Sequence, residues 1–165
     1  MNIKKMLCAQ KELDDIWMKR ANLTEYPLEM TITAYRVELG ELLQEWKQFK
    51  YWKMNKSEVD RDKMLEEWAD CMHFALSLEN HIKKYNCEDD GYYRYIVNHI
   101  ENDVKKYFNN NNTIYDLINR CFTDFDVLIE NTLALGIKLG YTLDELDGAY
   151  WRKNKINWER IKNNY

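Results

Sequence analysis

Apolar residues recur at helical spacing through the first third of the chain. Residues 3–20 place Leu7 and Leu13 near one face of a predicted helix, and the segment NLTEYP then interrupts the pattern. Pro27 suits the first turn of a second helix, which we expect to continue to about Lys53. The pattern therefore predicts two amphipathic helices in succession.

Polar residues mark where the third helix begins and ends. Ser57 followed by Asp60 resembles a capping box, and the apolar-rich run MLEEWADCMHFALSLENHIKKY comes after it. Residues 86–112 are more polar, with a turn signal at their start and an asparagine run at their end. We expect a small, variable helical insert over about residues 86–122.

Two more helices are predicted in the C-terminal third. One is expected from Thr113 to the C-terminal cap Gly140, with a break near Thr123. Thr142 with Glu145 matches a capping box at the start of the last helix. One proline and five glycines leave few signals for strands. The sequence therefore predicts an all-α helical bundle that carries the insert.

Composition limits the partners that the chain can have. Its 165 residues are the length of one domain, and we assign residues 1–165 to it. The net charge of -4 disfavours a general nucleic-acid coat, which depends on a basic face. The four cysteines include no C-x-x-C pair and are expected to be reduced thiols. A membrane span needs about eighteen consecutive apolar residues, and no stretch of this sequence is that long. We expect a cytoplasmic protein with no nucleic-acid or membrane partner.

Two pairs of carboxylates stand out on consecutive helices. Glu38 and Glu41 lie on the second predicted helix, and Glu67 and Asp70 lie on the third; residues three apart share nearly the same helical face. Carboxylates are rarely buried without a partner, and a divalent cation would relieve the repulsion among these acids. Ligation by oxygen alone suits Mg²⁺. A di-iron site, the alternative, normally uses two Glu-x-x-His pairs, whereas this chain offers one Asp70-x-x-His73.

Ordered sequence blocks resemble a known family. Glu38-x-x-Glu41 is followed, after twenty-five residues, by Glu67-x-x-Asp70 and then CMHF. The tail AYWRKNKINWERIKNNY resembles the C-terminal motif of the same family, and FKYW and LCAQKELDD resemble its phage and Gram-positive bacterial members. The family is that of the dimeric, all-α dUTP diphosphatases, which are relatives of the MazG-like nucleotide pyrophosphohydrolases. The resemblance covers the chain except for about residues 86–122.

The resemblance implies a role for each matching residue. The four acids would hold Mg²⁺ at the phosphates, and Glu38 would also orient the attacking water. Phe74 would press on the sugar where a ribose 2′-hydroxyl would sit. Family members more often carry asparagine near the position of Asp14, so no base contact is assigned to it. The other implied substrate contacts are to the 3′-hydroxyl for His73, to the phosphates for Lys153, Asn154, Arg160 and Tyr165, and near uracil for Gln10 and Trp52.

The segment KQFKYWK leaves several interpretations open. On a straight helix, Trp52 would lie about 17 Å from Glu41. Either the chain bends after about Phe49, or Trp52 acts at the site of another subunit. Otherwise Phe49, Tyr51 and Trp52 are core residues, or the rings and lysines form a stripe that binds single-stranded nucleic acid.

The sequence thus predicts a Mg²⁺-dependent enzyme that hydrolyses dUTP, and also dUDP, to dUMP, with release of pyrophosphate or phosphate. A carboxylate can accept the proton of the attacking water, and cations neutralise the phosphate oxygens. The alternatives are a MazG-like pyrophosphohydrolase of another nucleotide, or a helical regulator that binds a protein such as a repressor through residues 86–122. The resemblance, together with six Trp and twelve Tyr, predicts a homodimer.

Overall fold

The structure, a computed structural model, describes residues 1–55, 57–83 and 113–163. Within these residues there is no strand, and the prediction of an all-α bundle is confirmed. A short 3₁₀ helix at Phe125–Val127 separates two of the helices. The α-helices are α1 (Ile3–Arg20), α2 (Leu28–Trp46), α3 (Arg61–Ile82), α4 (Ile114–Thr123), α5 (Leu128–Lys138) and α6 (Leu143–Lys162).

Helix α3 forms the centre of the bundle. It packs against α1, α2, α5 and α6, and 13 of its 22 residues are buried, which is more than one helical face. Trp68, Met72 and Leu76 are fully inaccessible. Because so much of α3 is covered, its polar residues His73 and Ser77 also lie in the interior, where each needs a hydrogen-bond partner.

Several predicted helix boundaries are confirmed. Helix α1 spans the predicted residues 3–20. The break near Thr123 is present as the 3₁₀ helix between α4 and α5. Gly140 has φ +94°, the left-handed conformation expected of a C-terminal cap. Thr142 and Glu145 form the predicted capping box at the start of α6.

Two predicted boundaries are wrong. Helix α2 ends at Trp46 rather than near Lys53, because Lys47 adopts the left-handed conformation, with φ 62°, and closes the helix through a bond to the Leu43 carbonyl. Helix α3 is capped by Asp60, whose side chain accepts a hydrogen bond from the Lys63 N–H, and not by a Ser57 capping box.

Part of the predicted insert belongs to the core. Residues 114–123 form α4, which packs on α5 and buries Leu117 and Cys121 completely. Residues 86–112 of the predicted insert lie outside the described residues. In the part of the chain that the structure covers, no helix is long and apolar enough to cross a membrane.

Candidate active site

Three of the four predicted acids meet where α2 packs on α3. A carboxylate oxygen from each of Glu38, Glu67 and Asp70 lies within 4.8 Å of the other two. Glu38 precedes the buried Leu39, and Glu67 precedes the buried Trp68. The acids therefore lie at the edge of the packed faces of the two helices, and the packing of apolar neighbours brings the carboxylates together.

Burial and mutual repulsion disfavour the charged forms of these acids. Burial raises the pKa of Glu38 to about 7, with smaller contributions in the same direction from Asp70 and the other acids. Burial, followed by the negative charge of Asp70, also raises the pKa of Glu67. The pKa of Asp70 is raised by burial as well, and the Lys153 ammonium opposes that change. An added positive charge would therefore stabilise the ionised forms of these acids.

The fourth predicted acid, Glu41, lies at the outer edge of this cluster. It is exposed one turn beyond Glu38, and its carboxylate is not one of the three oxygens that converge. Its negative charge nevertheless contributes to raising the pKa of Glu67 and Asp70. Glu41 is thus an electrostatic neighbour of the three converging carboxylates.

Helix α6 supplies positive charge to the same place. The Nζ atom of Lys153 lies 2.5 Å from Oδ2 of Asp70, in an ion pair where both side chains are mostly covered. The positive charge of Arg160 also opposes the rise in the pKa of Asp70. The sequence placed the acids and the cations in separate motifs, and the fold joins them across α3 and α6.

A buried polar region adjoins the acids. Nδ1 of His73 lies 2.6 Å from Oε1 of Gln10, and Nε2 of Gln10 donates a 2.7 Å hydrogen bond to Oδ1 of Asp14. The His73 ring stacks on Tyr150, with centroids 4.4 Å apart. Burial lowers the pKa of His73 to about 3, so its ring is neutral at physiological pH. These contacts bring residues of α1, α3 and α6 to one place.

The other predicted substrate contacts occupy different environments. Asn154 is buried on α6, one turn after Tyr150, and Phe74 is partly buried against the core. Trp52 is 59% exposed, and its ring contacts in the structure are with Phe49 and Tyr51. The structure does not join Trp52 to the acidic cluster of its own chain. Tyr165 lies outside the described residues.

Sequence reasoning missed a second histidine near this region. The side chain of His81 is only 21% exposed, and its ring stacks on Tyr26 with centroids 3.5 Å apart. Its Nε2 atom lies 3.5 Å from Oδ2 of Asp14. The sequence did contain a signal that His81 lies on the same face of α3 as His73, because His73, Ser77 and His81 recur every four residues along this apolar helix.

The residues present fit a divalent metal ion. Three carboxylates converge, burial and mutual repulsion raise their pKa values, and their donor atoms are all oxygens. A hard cation such as Mg²⁺ or Mn²⁺ accepts this donor set and would compensate the negative charge.

Comparison with protein families agrees with this geometry. The model of the dUTPase family matches residues 2–165. A comparison with curated proteins found no match. The family match spans the helices that carry the acidic cluster, the Lys153 ion pair and the buried histidine. The chain therefore belongs to the all-α dUTPase family and is an enzyme that hydrolyses dUTP, a dUTP diphosphatase.

Proposed function

We propose that this enzyme hydrolyses dUTP, and also dUDP, to dUMP with Mg²⁺ bound by Glu38, Glu67 and Asp70. The observation that carries the proposal is the convergence of these three carboxylates within 4.8 Å, beside a cationic α6. When bound, Mg²⁺ neutralises phosphate oxygens and favours attack by water. Glu41, at the edge of the cluster, would supply the fourth carboxylate ligand of the ion.

We assign activation of the water and binding of the phosphates to residues in and around the cluster. Glu38 orients the attacking water and accepts its proton, since a carboxylate within reach can act as a general base. Lys153 lies against Asp70 in this structure, and we propose that it contacts the phosphates when substrate binds. Asn154, Arg160 and Tyr165 complete the phosphate contacts by the same family resemblance.

Recognition of the nucleoside is assigned to the buried polar region. We propose that His73 contacts the 3′-hydroxyl and that Phe74 occupies the space that a ribose 2′-hydroxyl would need. Gln10 and Trp52 are assigned to the uracil. Support for Gln10 comes from its hydrogen bond to His73, which places it beside the proposed sugar contact.

The proposed active form is a homodimer. The outward face of α2 exposes Met30 by 74% and Val37 by 51%, and an open groove along this face reaches Glu38. A second copy that covers this groove would bury the apolar side chains. The exposed Trp52 would then be free to act at the site of the partner, because α2 ends before it.

Two further proposals concern substrate and partner. A MazG-like pyrophosphohydrolase would use the same acids on another nucleotide. A regulator would bind a protein such as a repressor through residues 86–122, of which residues 113–122 belong to the folded bundle.

Assaying a panel of deoxynucleoside and ribonucleoside triphosphates, together with dUDP, tests the proposal. We expect dUTP and dUDP to yield dUMP with Mg²⁺ and not after chelation of the metal. Preferred hydrolysis of another nucleotide would favour the MazG-like alternative. Metal-independent hydrolysis would contradict the assignment of the acids. A pull-down with residues 86–112 deleted tests the protein-binding role separately.

A further inference from the structure

A chain of hydrogen bonds connects Asp14 to His73 through Gln10. Oδ1 of Asp14 accepts from Nε2 of Gln10 at 2.7 Å, and Oε1 of Gln10 lies 2.6 Å from Nδ1 of His73. All three side chains are buried. The chain begins on α1 and ends on α3, so a group on one helix can determine how a group on the other is protonated.

The carboxylate of Asp14 sets the direction of these bonds. An ionised carboxylate only accepts, so Gln10 must turn its NH₂ group toward Asp14. The amide oxygen then faces His73, and it too only accepts. The proton of the His73 ring must therefore be on Nδ1. Nε2 of His81 lies 3.5 Å from the other oxygen of Asp14.

The opposite tautomer of His73 would have poorer contacts. With the proton on Nε2, the ring would donate to the Tyr150 carbonyl oxygen, which is 3.4 Å away and beyond the usual range for this bond. It would also face the Gln10 oxygen at 2.6 Å with a second acceptor. Burial lowers the pKa of His73 to about 3, so the ring does not carry both protons. In the Nδ1–H tautomer, Nε2 therefore presents a lone pair, and the Tyr150 carbonyl oxygen 3.4 Å away cannot donate to it.

We propose that Asp14 is a positioning residue that acts through Gln10 to hold His73 as the Nδ1–H tautomer, so that Nε2 accepts a hydrogen bond from a hydroxyl of the nucleotide sugar. The role of the hydroxyl rests on the proposed function, which places the sugar at His73. The chemical class of the ligand group follows from the tautomer. A hydroxyl can donate to a ring nitrogen, whereas a carbonyl or an ionised phosphate cannot.

Nitrogen NMR of histidine-labelled, nucleotide-free protein tests the tautomer directly. Long-range proton–nitrogen correlations distinguish the two ring nitrogens. We expect the wild-type His73 ring to be protonated on Nδ1. In Asp14→Asn, the new amide can present either oxygen or NH₂ to Gln10, so an Nε2–H population should be detected. A wild-type ring protonated on Nε2, or an unchanged spectrum in Asp14→Asn, would overturn the proposal.

Two further variants keep this test decisive. Asp15→Asn is the matched control, because Asp15 is exposed on the same helix and pairs with Lys11 at 2.9 Å; its His73 spectrum should equal that of the wild type. If Asp14→Asn fails to fold in a melting curve, Gln10→Met interrupts the same chain while retaining Asp14. We expect Gln10→Met to shift the His73 proton to Nε2. A ring that stays protonated on Nδ1 would refute the proposed action of Asp14 through Gln10.

A kinetic comparison tests the proposed acceptor. The ratio of kcat/KM for dUTP to that for its analogue without the 3′-hydroxyl should be lower in Asp14→Asn than in wild type by about two- to tenfold, the scale of one hydrogen bond. Asp15→Asn should keep the wild-type ratio. An unchanged ratio in Asp14→Asn, despite the altered tautomer, would overturn the hydroxyl contact. Failure of the wild type to hydrolyse dUTP would count against the proposed function instead, because the NMR measurement needs no nucleotide.

Discussion

Glu38 lies where α2 meets Glu67 and Asp70, the two acids of α3. The i, i+3 spacing within each acidic pair could be predicted from the sequence. The convergence of Glu38 with the acids of α3 could not, since it depends on how two helices pack. The same holds for the contact between Lys153 and Asp70, which joins residues 83 positions apart.

Replacing Glu38 by Gln should lower kcat for dUTP by at least about a hundredfold, the scale of a lost general base. The fold should be retained, because the substitution keeps the side-chain volume and removes one of several repelling charges. Steady-state kinetics with a circular dichroism spectrum check this expectation. Glu12→Gln, an exposed change on α1, serves as the control. Near-normal turnover in a folded Glu38→Gln protein would argue against the assigned role.

The stability of the metal-free protein should depend on the proton of Glu38. Its pKa in the folded protein is about 7, above the ordinary value of 4.5, so the folded state binds this proton more tightly than the unfolded chain. The resulting stabilisation is complete below about pH 4.5 and is lost as the pH rises towards 7. His73 acts in the opposite direction, because its pKa is lowered from 6.5 to about 3 and its stabilisation is lost on acidification.

Comparing melting temperatures of wild type and Glu38→Gln across this pH range, with chelator present, isolates the contribution of Glu38. His73 is common to both proteins and cancels in the difference. The advantage of Glu38→Gln over wild type should grow between about pH 4.5 and 7. A difference that stays constant with pH would mean that Glu38 titrates normally in the folded state.

At the scale of the helices, the sequence predicted those helix boundaries that depend on interactions between residues close together in the chain. The bounds of α1, the break after α4 and the capping box of α6 follow from caps and periodicity in short segments. The end of α2 was missed because Lys47 takes a left-handed conformation that lysine rarely prefers. The chain of hydrogen bonds from Asp14 to His73 was missed because the relative placement of α1 and α3 is a property of the packed bundle.

Gly136 on α5 is required by the close approach of that helix to α3. A Cβ atom there would lie 2.5 Å from Nε1 of Trp68, whose indole donates a 2.8 Å hydrogen bond to the Thr132 carbonyl. We expect Gly136→Ala to lower the free energy of unfolding by about 1 to 3 kcal/mol through overpacking. Chemical denaturation measures this change.

Gly40→Ala is the matched control for that substitution. Gly40 lies within α2, and an added Cβ would have nothing within 4 Å. Helix propensity alone should then raise the free energy of unfolding by about 0.5 to 1 kcal/mol. Equal effects of the two substitutions would mean that the contact between α5 and Trp68 does not limit the packing.

At the scale of the whole molecule, the exposed apolar face of α2 predicts association of two chains. Sedimentation should give a dimer at micromolar protein, and Met30→Glu should shift it towards monomer by placing a charge in the apolar groove. Met54→Glu, at a side chain that is 95% exposed and outside α2, should leave the dimer intact. A monomeric wild type, or equal effects of the two variants, would contradict this interface.

The proposed metal site involves all three scales, because it depends on three carboxylates, on the packing of α2 on α3 that brings them together, and on the activity assigned to the whole enzyme. Its most direct test is calorimetric titration of Mg²⁺ into wild type, Glu67→Gln and Glu66→Gln. Glu66 is exposed, whereas its neighbour Glu67 belongs to the converging carboxylates. We predict that Glu67→Gln weakens Mg²⁺ binding by at least about tenfold, since even residues that only hydrogen-bond to a metal ligand contribute on that scale. Glu66→Gln should bind Mg²⁺ as the wild type does. Equal affinities in all three proteins would contradict the assignment of the acidic cluster as the metal site.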